Sequence, residues 1–128
     1  MGTDGARFAA LDNGSSAIAT YAVYSASNAP LRLLVLNSNY FNGTGTRSST
    51  SVQFTGLASA GGTRQAKRLT APDATARTDQ GAAVTIGGGG TFSATCARQG
   101  TESFESVAVS GGALTVSVRA SEALIVYL

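Results

Sequence analysis

The stretch Gly111-Gly112-Ala113-Leu114-Thr115-Val116-Ser117-Val118-Arg119-Ala120-Ser121-Glu122-Ala123-Leu124-Ile125-Val126-Tyr127-Leu128 decides the fold class. After the Gly-Gly turn, Leu114, Val116 and Val118 alternate with Thr115, Ser117 and Arg119. Successive side chains of a strand point to opposite faces, so this is the pattern of a strand buried on one side. Ala120-Ser121-Glu122 interrupts the run, and Ala123 to Leu128 continues as a nearly unbroken apolar segment. That segment is too short to cross a bilayer and too rich in β-type residues to favour a helix. It reads as a central strand covered on both faces.

Working back from this end, the same period recurs. Phe104 to Val109 alternates and feeds the Gly-Gly hairpin. Ala17 to Tyr24 and Thr50 to Leu57 alternate too, and Leu31 to Asn37 is the most apolar of the early strands, which places it mid-sheet. Thr63 to Thr70 carries Arg64, Lys67 and Arg68 and ends before Pro72, features of a sheet edge. Ala83 to Ile86 and Thr91 to Thr95 are shorter candidates, separated by Gly87 to Gly90, a flexible break. The sum is roughly seven to nine short strands with turn signals between them, an all-β, antiparallel β-sandwich. Residues 1–16, polar apart from Phe8 and Leu11, form a flexible N-terminal arm, a short edge strand or the margin of a cut; residues 17–128 form the sandwich.

Composition narrows the chemistry. The chain has 128 residues, enough for one core. Charged residues are only 12% and the net charge is +2, too small to call for nucleic acid, and no apolar run is long enough for a membrane span. Abundant Gly, Ser and Thr suit a secreted β protein. There is no histidine and a single cysteine, Cys96, so a transition-metal site, an internal disulfide and a His-based nucleophile all lack their parts; Cys96 reads as a buried or idle thiol and no cofactor is expected. Lys67, the only lysine, reads as a solvated edge residue. Glu102 and Glu105 are three apart, which puts them on opposite faces of an extended segment and spoils them as a glycosidase pair.

The remaining candidates are contacts. Tyr40 and Phe41, in a loop rich in Asn, Gly and Thr, are candidates to stack on a sugar or pack against a neighbouring domain. Arg64, Arg68 and Arg77 are candidates for a polyanion contact, against the plainer reading of a charged edge. Asn13-Gly14-Ser15 and Asn42-Gly43-Thr44 match the N-glycosylation sequon.

Four blocks, taken together and in order, resemble a known family. They are Leu33 to Thr44, Lys67-Arg68-Leu69-Thr70-Ala71-Pro72, Gly100-Thr101-Glu102 and Val116 to Val126. They look like the C-terminal β-domain of glycoside hydrolase family 79, the β-glucuronidase and heparanase-like enzymes, over most of residues 17–128. Gly87 to Gly90 departs from the aromatic, Gly-Gln-containing segment expected there. The resemblance implies a β-sandwich joined to a catalytic β/α barrel that carries both catalytic glutamates, so no acid of this chain inherits that role. The implied function is a non-catalytic accessory domain whose partner is the barrel, with weak self-association when alone. The alternatives are a stand-alone module for acidic glycans and a structural, self-associating β-domain.

Overall fold

The computed structural model describes residues 5–57 and 61–128; Asp4 and the rest of residues 1–4 of the expected arm lie outside them. Among the described residues eleven strands form: β1 (Arg7–Ala10), β2 (Ile18–Tyr24), β3 (Pro30–Asn37), β4 (Ser49–Phe54), β5 (Gly62–Thr70), β6 (Thr85–Ile86), β7 (Thr91–Phe92), β8 (Arg98–Gln99), β9 (Glu105–Ser110), β10 (Ala113–Arg119) and β11 (Glu122–Tyr127). The path β1-β2-β3-β11-β5-β9-β10-β4 is one antiparallel sheet with β6 attached to β5, and β7 and β8 make a small ribbon beside it.

The sheet curls over on itself through the final stretch of the chain. Gly111 and Gly112 both take positive φ, 57° and 72°, the conformation of a tight two-residue hairpin turn between β9 and β10. Only two residue pairs join β9 to β10 before the strands diverge. β10 then runs with β4 over the other layer, and the Ala120–Ser121 turn carries the chain across to β11, which does not pair with β10 but sits between β3 and β5. Leu114, Val116 and Val118 therefore face Leu33, Val35, Leu124 and Val126, and all are buried. Phe54, Ala22, Ala66 and Val109 complete the core.

Two expectations are overturned. The charged strand β5 is not an edge; it lies between β11 and β9 at the centre of the sheet. Its charges are tolerated there because Lys67 and Arg68 each meet a carboxylate, while Arg64 donates to the Thr63 carbonyl. The Gly87 to Gly90 run is not a flexible break either. Ile86 pairs with Gly90 and Gly88 with Glu102, and Gly87 and Gly90 are buried. A Cβ at Gly100 would stand 2.1 Å from the Gly89 carbonyl oxygen, and one at Gly89 2.5 Å from the Thr101 oxygen. Glycine is used here so that two backbones can cross. Gly100→Ala is expected to destabilise the protein by about 1–3 kcal/mol. Gly45→Ala has the same kind of positive φ but open space around it, so it should cost less; urea unfolding of the two variants checks the difference.

Cys96 is exposed at a positive φ in the β7–β8 turn, so of the two readings of this thiol the buried one is excluded. Among the described residues no helix is long and apolar enough to cross a membrane.

Candidate functional site: an outer apolar face and a latched turn

The alternation that buries one face of β3 and β11 turns the other face outward. Register places Tyr21 of β2, Leu34 of β3, Ile125 of β11 and Lys67 of β5 in one row, and Ala19, Leu36, Ala123, Leu69 and Ile86 in the next. Leu36 and Leu69 are 40% and 45% exposed, and a hollow of about 180 Å³ opens among Leu34, Lys67, Leu69, Ile86, Ala123 and Ile125. Toward β1 the row continues through Phe8, stacked on Tyr21 at 4.7 Å. At the other margin Phe104 meets Tyr127 edge-on at 5.7 Å. Lys67 lies over the Phe104 ring at 4.6 Å and pairs with Glu102. It is a half-buried, neutralised residue of a central strand, not the solvated edge lysine expected from its polar neighbours. The second covering expected for β11 is thus only partial: Ala123, Ile125 and Tyr127 are half-buried.

On the inner side, the turn between β10 and β11 is held by a polar cluster. Glu122 is 1% exposed. Its Oε1 accepts from Thr70 Oγ1 at 2.7 Å and Arg119 Nε at 3.0 Å; its Oε2 accepts from Arg68 Nη1 at 3.0 Å and the Arg119 backbone N–H at 3.1 Å. Burial by itself pushes this carboxyl up, but the hydrogen bonds from Arg119 and Thr70 and the Arg119 charge outweigh it and hold the group down at about 2. Arg47 donates to three carbonyls, Ala120, Ala71 and Ser121, at 2.7, 2.9 and 3.0 Å, with its guanidinium over the Phe41 ring at 5.1 Å. The buried Asn37 donates to the Val118 carbonyl at 3.0 Å, tying the two layers together.

The sequence candidates are distributed rather than gathered. Phe41 packs over the sandwich end beneath Arg47, while Tyr40 beside it is 70% exposed and alone. Arg68 pairs with Glu105 through both carboxylate oxygens at 2.8 and 2.9 Å, and with Glu122. Arg77 pairs with Asp79 in a single 3-10 turn over Thr78–Gln80, and Arg64 donates to the Thr63 carbonyl at 3.3 Å. Glu102 answers Lys67 and Glu105 answers Arg68, so the two glutamates serve opposite faces of β5. The carboxyls that depart from their ordinary proton affinity, Asp12, Asp73, Asp79, Glu102 and Glu122, all shift downward. A glycosidase acid needs the opposite shift. Sequence reasoning passed over Arg47 and took Glu122 as a mere break. The signal available for Glu122 was its position, a carboxylate placed between a turn and an otherwise apolar strand.

The described residues form a curled antiparallel sandwich with an apolar outer face. The family model for the glycosyl hydrolase family 79 C-terminal beta domain matches residues 20–125, and the chain belongs to that family. Among solved structures, a 4-O-α-L-rhamnosyl-β-D-glucuronidase from Fusarium oxysporum 12S, crystallised as its Rha-GlcA complex, is similar at 42% identity with a TM-score of 0.85. The match covers 94% of this chain but 26% of that one. No curated protein matches.

Proposed function

We propose that this chain is the accessory β-domain of a secreted, β-glucuronidase-like glycoside hydrolase, and that it packs on and stabilises a catalytic β/α barrel through its outer sheet face. The observation that carries this is the apolar face across β2, β3, β11 and β5, from Tyr21 to Ile86. Apolar side chains left in water on a central, rigid part of a sheet mark a surface that another body covers. Two features speak against the acidic-glycan module. Arg68 and Arg77 are already neutralised by carboxylates, and Tyr40 has no second exposed ring beside it to form a platform. In this reading Tyr40 is not the docking residue; Leu36, Leu69 and Ile125 are.

The chain by itself should not hydrolyse glucuronides, because Asp12, Asp73, Asp79, Glu102 and Glu122 are held ionised by arginine, lysine, hydroxyl and backbone partners. The check is an aryl β-glucuronide assay on the pure chain. Turnover that disappears on replacing one of the chain's own carboxylates would refute the accessory reading.

A further inference from the structure

The two sequons stand at the same end of the sandwich. Asn13 is in the β1–β2 connection and Asn42 in the β3–β4 connection, and both connections leave from the row where Ile18, Asn37 and Glu122 align. They differ in what surrounds them. The Asn13 triplet is pinned to β2 by Asp12, whose carboxylate accepts from the Gly14 N–H at 2.8 Å and from the Thr20 N–H. The Asn42 triplet is presented outward from a fixed frame. On one side the Phe41 N–H is accepted by Ser121 Oγ at 3.3 Å and the Phe41 carbonyl accepts from Ala74 at 2.9 Å; on the other, Arg47 grips its three carbonyls. Asn42, Gly43 and Thr44 are all exposed.

Within the triplet, Asn42 Oδ1 accepts from the Thr44 backbone N–H at 3.1 Å and from the Thr44 hydroxyl at 2.9 Å; Asn13 Oδ1 accepts in the same way from the Ser15 backbone N–H at 3.1 Å and hydroxyl at 2.5 Å, so the surrounding frame is what sets the Asn42 triplet apart. The amide nitrogen takes no part in these bonds. Two donors on the oxygen draw electron density from the nitrogen and make its protons easier to remove. We propose that Asn42 is an N-glycosylation site. The donor is a lipid-linked oligosaccharide pyrophosphate: the Asn42 Nδ2–C1 bond forms as the C1–O bond to the pyrophosphate breaks, the lipid pyrophosphate leaves with the electron pair, and one Nδ2 proton passes to a base. A glycan here covers Tyr40, two residues away, and keeps this end of the sandwich in solvent, so any docking surface is confined to other faces. The glycosylation itself does not depend on the barrel partner.

The test routes the full chain through the secretory pathway of a yeast host behind a leader peptide. The secreted protein is then treated with peptide-N-glycosidase without denaturant. The expected result is loss of the glycan mass, with conversion of residue 42 to aspartate in the released peptide. Asn42→Gln and Thr44→Ala should each lack that glycan, the second while keeping the acceptor asparagine, and Asn13→Gln should retain it. Recovery of an unmodified Asn42 peptide from secreted wild-type protein overturns the proposal, as does a Thr44→Ala protein still modified at Asn42.

Discussion

Glu122→Gln is expected to destabilise the protein by about 3–5 kcal/mol, the cost of removing one partner from a buried ion cluster. The glutamine keeps the volume and can still accept from Thr70, but Arg68 and Arg119 lose the charge that lets them approach the interior. The same carboxylate makes stability depend on pH. Its ordinary value of 4.5 is lowered to about 2 in the folded protein. A depressed carboxyl contributes stability that is fully present above its unfolded value and lost as pH falls toward its folded value. The contribution should therefore be intact at neutral pH and decline from about pH 4.5 down to about 2, on the order of 3 kcal/mol in all. Urea unfolding of wild type and Glu122→Gln across that range checks it. The stability curves should converge as the pH drops. Curves that stay parallel would show that Glu122 is not the group responsible.

Val126→Asp is expected to prevent folding. Val126 is 0% exposed, and in register it lies between Leu33 of β3 and Ala66 of β5, themselves buried. An aspartate there would be a charge without a partner in an apolar layer. The cost is several kcal/mol, comparable with the entire margin of about 5–15 kcal/mol that holds a domain together. Far-ultraviolet circular dichroism should report a largely unfolded chain. Thr115→Asp, on the outward face of β10, should change stability by no more than about 0.5 kcal/mol. A Val126→Asp protein that melts within a few degrees of wild type would show that β11 is not the core strand.

The strands that carry the core were legible because period-two alternation is a direct image of one-sided burial. Leu114, Val116 and Val118 faced inward as their spacing requires, and the apolar strands β3 and β11 took central places. Location within the sheet was legible for apolar strands but not for β5. Arg64, Lys67 and Arg68 look like edge protection until the partners of the last two are known, and those partners, Glu102, Glu105 and Glu122, lie 35 to 54 residues further along the chain. The glycines were misread for a related reason. A run of four looks mobile in isolation, and only the crossing strand at Thr101 to Ser103 shows why side chains are excluded. The polar latch was the least visible part, because Arg47 acts through backbone carbonyls of Ala71, Ala120 and Ser121, which leave no mark on the sequence. Of the docking candidates, Tyr40 and Phe41 drew attention as aromatics in a loop, whereas the outer leucines of β3 and β5 were hidden in strands that seemed fully accounted for by the core.

The outer face is proposed as a docking surface. Sedimentation equilibrium over a wide concentration range, on wild type and on the Leu36→Lys, Leu69→Lys double variant, tests it most directly. Both leucines are exposed, so the changes should leave the fold intact. The expected result is weak, concentration-dependent self-association of the wild type with binding of a hydrophobic dye, and loss of both in the double variant. A wild-type protein that stays strictly monomeric and binds no dye would contradict it.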